Sequence, residues 1–401
     1  MLTVLKGATI FDGTGRDVIE NGFVVIGENG RLEFVGPPYT LPDGDQIKVI
    51  DVSGKFILPG LIDCHIHLDL HGMPDTYEEN LVEDKLRAIR AAQEMEATLQ
   101  AGFTTVRNAG SVNYIDFSVR QAIENGWLNG PRILTSGRIL SITCSGTEYF
   151  AGMYRVADGY DEFKKAAREQ LKEGADFLKI MATGAFMNPG GIPGAEQPDL
   201  KEIRAVVEEA AKLGKYVAAH AHGAQGIKNS IRAGVRTIEH GTFADEEALQ
   251  LMVENRVFLI PTFAVDYYWM KYGLEGGVPE HMLEKANEAK GISIETTRKA
   301  LRAGVQVAMG TDAGTPYNYH GGNAIELWIM VEEGLMTPQE AILSATRTAA
   351  LACGIESETG TLEKGKWADL LVVEGNPLVD ISILTKQENI LKVFKEGKSV
   401  K

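Results

Sequence analysis

The sequence predicts an α/β protein: a (β/α)8 barrel over residues 59–358, joined to a small β domain built from residues 1–58 and 359–401. Three observations point there. Both ends of the chain read as short β-rich runs separated by turns. The middle alternates short apolar runs with amphipathic helices, and eight such runs spread over about 300 residues suit a closed barrel better than an open sheet.

In chain order, Leu2–Lys6, Gly22–Ile26 and Leu32–Val35 are strand-like, with Asp12-Gly13 and Asn29-Gly30 as hairpin-type turns between them. Ile47–Val52 and Lys55–Leu58 continue the pattern around Ser53-Gly54. Phe56–Asp63, Phe103–Arg107 and Ile133–Gly137 are the first three barrel strands. Helix Asp161–Lys172 then leads to strand Asp176–Thr183. A helix from Asp199 to Lys212, with Asp199 placed to cap it and Glu202 three residues on, leads to Tyr216–His220. Helix Ala224–Arg232 leads to Arg236–Glu239, helix Asp245–Glu254 to Val257–Pro261, and helix Ile292–Arg302 to Val305–Met309. Thr337-Pro338-Gln339-Glu340 combines an N-cap, a proline in the first turn and a capping-box glutamate. Leu370–Val373 and Ile390–Lys395 are the closing strands, followed by a turn at Glu396-Gly397. No Gly-x-Gly-x-x-Gly follows a strand and no Walker loop is present, which counts against nucleotide binding.

Composition narrows the classes further. With 44% hydrophobic and 24% charged residues, the chain is an ordinary globular one rather than a disordered one. Fifty-five acids against 40 bases give a net charge of −15, the wrong sign for displacing counterions from nucleic acid. Apolar runs such as Val257–Ile260 fall far short of the roughly 20 residues needed to span a bilayer. The N-terminus lacks the basic and apolar regions of a signal peptide. The three cysteines, 64, 144 and 353, are odd in number and far apart in sequence, unlike a disulfide framework. A cytoplasmic enzyme with neither nucleic-acid nor membrane partners is therefore expected.

Five of the eight histidines fall at or just after the ends of predicted barrel strands. His65-Ile66-His67 closes the first strand; residues two apart in extended chain share a face, so both imidazoles can reach one metal. His220 ends the fifth strand with His222 beside it, His240 follows the sixth, and Asp312 follows the eighth. The C-terminal ends of barrel strands converge on one face, so these distant residues should meet as a site for zinc or a similar divalent ion. His71, in a loop, and His281, in a charged helix, read as surface residues. Lys179 lies near the end of its strand between apolar neighbours. Two readings stay open for it: a lysine extending its ammonium from the barrel rim, or a desolvated neutral amine that captures CO2 as an anionic, metal-bridging carbamate. Tyr317, Tyr319, His320 and the Met187–Pro193 segment lie on loops over the same face, where specificity is set.

Phe56-Ile57-Leu58-Pro59-Gly60-Leu61-Ile62-Asp63-Cys64-His65-Ile66-His67 resembles the opening motif of the amidohydrolase superfamily. The resemblance continues through Gly102–Arg107, Ile238-Glu239-His240-Gly241, Gly310-Thr311-Asp312-Ala313-Gly314 and Gly365–Leu370, and so covers essentially the whole chain. It is nearest the binuclear dipeptidase and carboxypeptidase branch, which includes prolidase-like, imidazolonepropionase-like and ochratoxin-type amidases. The resemblance implies a distorted TIM (β/α)8 barrel with a small β-sandwich domain built from both termini. It also implies His65 and His67 on a more buried metal, His220 and His240 on a more exposed one, Lys179 as a carboxylated bridge, and Asp312 as both ligand and proton carrier. A homo-oligomer is expected on the same ground. One departure is plain: relatives carry a Gly-Gly-His-Gly-like stretch after the third strand, whereas Ser141–Gly146 has no histidine, which bears on substrate contacts.

The expected reaction is hydrolysis of the amide bond of a dipeptide or N-acyl amino acid by hydroxide held between two divalent metals, with zinc the expected ion. Asp312 would act as base and then acid, and His222, Tyr317 and His320 are candidate substrate contacts. A mononuclear deaminase or cyclic-amide hydrolase of the same superfamily is the closest alternative. Such enzymes keep a glutamate shortly after the fifth-strand histidine and lack the lysine, whereas here Ala221-His222-Gly223-Ala224-Gln225 follows His220. A non-catalytic scaffold of the same fold usually loses ligands, and all six are present here.

Overall fold

The computed structural model describes residues 2–38 and 47–401. Five N-terminal strands, Leu2–Ile10, Ile19–Ile26, Leu32–Gly36, Ile47–Asp51 and Phe56–Pro59, join three C-terminal ones, Leu370–Val373, Ile390–Lys395 and Lys398–Ser399, in one eight-stranded sheet. The two ends of the chain meet where Leu370–Val373 runs antiparallel to Phe56–Pro59, with Leu371 opposite Leu58. Leu5, Ile10, Val24, Ile57, Leu370 and Phe394 share one buried cluster, so alternate residues from both termini supply the core of this β-sandwich unit.

The run expected as the first barrel strand, Phe56–Asp63, is two strands. Phe56–Pro59 belongs to the terminal sheet, and Leu61–Ile66 opens the barrel. Gly60 is the hinge between them. Its N–H donates to the Asp369 carbonyl at 2.9 Å, and a Cβ there would lie 2.2 Å from the Thr104 hydroxyl oxygen. Only glycine lets the chain cross from one sheet to the other so closely.

Leu61–Ile66, Phe103–Asn108 and Arg132–Thr135 pair in parallel, as do Leu178–Met181, Val217–Gly223, Thr237–Phe243 and Phe258–Ile260. Two short strands, Ile139–Ser141 and Tyr154–Val156, extend the second group beside Leu178–Met181. Single contacts close the ring: Asp176 N–H to Thr135 O at 2.8 Å on one side, and Cys64 N–H to Met309 O at 3.0 Å on the other. The eighth strand expected at Val305–Met309 is reduced to a bridge between Leu259 and Val307. The reason is competition for its donors. Met309 N–H bonds the Ser344 carbonyl and Ile62 N–H bonds the Ala345 carbonyl, so the end of helix Pro338–Ser344 takes the place of a ladder partner.

Helices Tyr160–Glu173, Leu200–Ala211, Ala224–Ala233, Glu246–Asn255 and Ile292–Ala303 lie where their amphipathic patterns put them. The capping boxes at Asp199/Glu202 and Thr337/Glu340 are both formed. Cys64 and Cys353, distant in sequence, come within 3.7 Å as free thiols. No described helix is long and apolar enough to cross a membrane.

Candidate active site

The strand ends bring two triads together. His65, His67 and Asp312 form one group of buried donors, and His220, His222 and His240 the other; within each, the donor atoms lie no more than 4.8 Å apart. The rings of His65 and His240 are 5.2 Å apart, so the triads adjoin. Lys179 is buried between them, its Nζ 3.4 Å from His65 Nε2. The six residues expected as ligands therefore converge, and His222, expected at the substrate, sits ring-to-ring with His240 at 4.7 Å.

Each imidazole is turned by a bond at its far nitrogen. His67 Nδ1–H donates to the Gly110 carbonyl at 2.9 Å, leaving Nε2 a lone pair 3.4 Å from Asp312 Oδ1. His65 Nδ1 is held by the Glu239 carboxylate at 2.8 Å, and its Nε2 faces the same Asp312 oxygen at 3.5 Å. The Thr262 hydroxyl donates to the Pro261 carbonyl, so it accepts from His240 Nδ1–H at 2.7 Å and frees that Nε2 as well. His222 Nδ1 meets the Thr242 hydroxyl at 2.9 Å. Such outer partners orient metal-binding imidazoles and set their tautomers.

Electrostatics keeps the donors in the state a cation needs. Burial lowers the His67 imidazole to about 4 and that of His222 to about 3. His220 and His240 lie well below the ordinary imidazole range, first through burial and then through neighbouring rings and Lys179. Burial likewise pulls Lys179 down to about 8. Beneath the triads, Glu239 resists the upward push of its own burial because Arg107 (Nη2 to Oε1, 2.7 Å) and His65 hold it ionised, well below the usual carboxylate range. His220 Nε2 and Asp312 Oδ1 are buried without a hydrogen-bond partner among the described residues. Neutral imidazoles with inward lone pairs, an orphaned carboxylate oxygen and a desolvated lysine fit divalent cations.

Backbone strain gathers at the same place. His240 and Asp312 have φ of 70° and 57°, and Thr262 has 58°, all in the left-handed region that non-glycine residues seldom occupy. The turn at His240 has a visible use. Consecutive strand residues normally point to opposite faces, yet Glu239 and His240 both reach the centre.

The other site expectations are placed as follows. Tyr317 stacks on Tyr272 at 4.0 Å and donates its hydroxyl to the Gly276 carbonyl, away from the cavity lining. His320 lies behind the first triad, donating from Nε2 to the carbonyls of His67 (3.2 Å) and Leu70 (3.1 Å). His71 is not a surface residue: it is buried, with Nδ1 2.6 Å from Glu94, because the loop after the first strand folds back onto helix Asp84–Gln100. His281 is half-buried and faces the Met187 carbonyl at 3.2 Å. Above the triads the cavity walls are mainly apolar and aromatic, including Ile139, Phe150, Met153, Phe186 and Trp269.

The sequence profile of the amidohydrolase family matches residues 56–400. The ochratoxinase of Aspergillus niger is 31% identical, over 100% of this chain and 87% of that protein. A Xaa-Pro dipeptidase solved with methionine in its active site superposes with a TM-score of 0.92 at 35% identity, covering 100% of this chain and 99% of that one. A prolidase complexed with N-methylphosphonate-L-proline gives 0.90 at 33%, covering 100% of both chains.

Proposed function

The chain belongs to the amidohydrolase family of metal-dependent hydrolases of carbon–nitrogen bonds, and from that premise we propose that it cleaves the amide of a dipeptide or N-acyl amino acid at a binuclear centre. The observation that carries this reading is the convergence of two adjoining triads on one buried lysine, with lone pairs turned inward from fixed outer bonds. In this reading His65, His67 and Asp312 hold one ion and His220 and His240 the other. Lys179 would serve both as a carbamate, formed when its neutral amine adds CO2 and releases a proton. His222, ring-to-ring with His240, would contact the substrate rather than hold an ion. Two divalent ions held there, zinc by preference, would supply an acidified water and polarise the scissile carbonyl.

The remaining work falls to the chain's own groups. Asp312 would take the proton of the attacking water and return it to the leaving amine nitrogen, a base that becomes an acid. Glu239 and Gly110 keep His65 and His67 from rotating while charge shifts at Asp312. The apolar walls exclude bulk water, so the tetrahedral oxyanion meets fixed charge rather than solvent.

The relatives' names support the substrate class: ochratoxinase and Xaa-Pro dipeptidase. The test is a mass-spectrometric screen of N-acyl amino acids and dipeptides against metal-loaded protein, with metals counted per chain. Expected are amide cleavage, close to two metals, loss of both on chelation, and an intact-mass gain of one CO2 traceable to Lys179. About one metal per chain, with deamination or ring opening and no linear amide cleaved, would instead favour the mononuclear alternative.

A further inference from the structure

Outside the two triads and Lys179, the described cavity lining contains one charged group, Asp266. It sits on helix Phe263–Tyr272, which begins directly after Thr262, the residue holding His240. Four residues along a helix is about 6 Å, so Asp266 stands roughly one turn from Thr262, and it lines the same cavity as the second triad. Val265 and Trp269 of the same helix line the cavity beside it.

An acid in the first turn of a helix usually has a structural explanation, namely attraction to the positive helix end. Here that end is already served. The Glu326 carboxylate accepts the N–H groups of Phe263 at 2.8 Å and Ala264 at 2.7 Å. Asp266 adds a second negative charge close enough to help push the Glu326 carboxyl up. Asp266 itself makes no hydrogen bond or ion pair among the described residues, although its side chain is accessible. The protein around it is dense enough to push its carboxyl up to about 6, with no cation offsetting the effect. Asp266 thus places an exposed carboxylate on the lining of a mainly apolar cavity, with no protein cation beside it.

We propose that Asp266 receives a cationic nitrogen of the substrate, so that the amide cleaved at this centre carries an ammonium or guanidinium group. The proposal rests on the amide-hydrolase reading above and adds a charge requirement to it. The missing partner of Asp266 is supplied by the ligand, and the adjoining Trp269 ring offers an aromatic surface suited to a cation. Two sources present this chemistry: the free α-ammonium of an unblocked dipeptide, and a basic side chain on either residue.

The test compares kcat/KM of the metal-loaded full chain on peptides sharing one scissile amide. One has a free N-terminus and neutral side chains; others are acetyl-capped with lysine, norleucine or glutamate. The readout is the ratio of cationic to norleucine substrate. Wild type should favour at least one cationic substrate by about 10-fold or more, and whichever it is identifies the source. Asp266→Asn should bring that ratio near one, and Asp266→Lys should turn preference toward glutamate. A wild-type ratio near one, or a ratio that Asp266→Asn leaves intact, overturns the proposal while amide cleavage itself still stands. If wild type cleaves none of the peptides, the hydrolase reading fails instead. Calorimetry with arginine amide and norleucine amide then decides Asp266: selective binding of arginine amide, lost in Asp266→Asn, supports it, and equal binding overturns it. Thermal melts guard against misfolding, since removing the charge should leave the melting temperature unchanged or higher.

Discussion

Asp312 is held in a left-handed backbone conformation with one carboxylate oxygen facing both His65 and His67 and no hydrogen-bond donor upon it. That geometry suits a group that exchanges a proton during turnover. Asp312→Asn should therefore lower kcat by several orders of magnitude with the barrel still folded. Normal turnover in the metal-replete Asp312→Asn variant would remove the proton-carrier role. Glu239 acts at one remove, tying His65 to Arg107, with both charged side chains fully buried. Glu239→Gln leaves the guanidinium without its counter-charge, an expected cost of about 3 kcal/mol, and should weaken metal binding about 10- to 100-fold. Unfolding midpoints and metal titration check the two effects separately. The histidines and Asp312 were legible in the sequence because each lies at a strand end, where topology alone makes neighbours of distant residues. Glu239 was not singled out, because in a regular strand it would point away from His240; only the φ of 70° at His240 brings both inward. Asp266 escaped notice because helix Phe263–Tyr272 carries no clear apolar stripe, mixing aromatic and charged residues on all sides.

Among the elements, the crossing at Gly60 decides whether the terminal sheet and the barrel can share one chain. Phe56–Ile66 is a nearly continuous apolar run, and periodicity cannot reveal a break between two fully buried strands, since neither alternates. What reveals it is the approach of Thr104, visible only once Phe103–Asn108 is seated beside Leu61–Ile66. Gly60→Ala must displace Thr104 or the backbone, at an expected cost of about 1–3 kcal/mol. A Thr104→Gly background should recover part of that loss, and denaturant midpoints of the two single variants and the double variant measure it. If Gly60→Ala is neutral, the close approach does not hold. The eighth strand illustrates the same limit. Its apolar pattern was visible, but its shortness depends on the carbonyls of Ser344 and Ala345, which lie some 35 residues further along the chain. The helices were more legible, because capping residues such as Asp199 and Thr337 act within one turn of themselves.

For the molecule as a whole, the site is an electrostatic load distributed over separate barrel strands, and its pH dependence follows from the sign of each shift. His67 and His222 titrate near 4 and 3 in the folded metal-free protein, and His220 and His240 well below 6.5. Their unfolded counterparts titrate near 6.5. Between about 6.5 and 4 the unfolded chain therefore binds more protons at these imidazoles, and their contribution to folding stability falls as the pH drops through that window. Above about 6.5 these groups contribute no slope. Lys179, lowered to about 8, acts in the same direction at higher pH: its unfavourable burial is relieved between about 8 and 10.5. Glu239, depressed by Arg107, adds stability that is lost only in stronger acid. For His67 alone the shift from 6.5 to about 4 amounts to roughly 3 kcal/mol at most; carboxyls that burial pushes up, Asp69 to about 6 and Glu94 and Asp116 to about 7, act in the opposite sense over the same range and offset part of the imidazole loss. Metal raises stability by mass action but competes with protons for the Lys179 amine, which titrates near 8, and in stronger acid for the Nε2 atoms. The gap between metal-loaded and stripped protein should thus narrow as the pH falls from about 8 toward about 5. Urea midpoints for the two forms across this range provide the check. If replacing His67 and His222 by glutamine leaves the acid dependence of the stripped protein's midpoint unchanged, the imidazoles are not buried neutral, and the triads then lose the donor state that a cation requires.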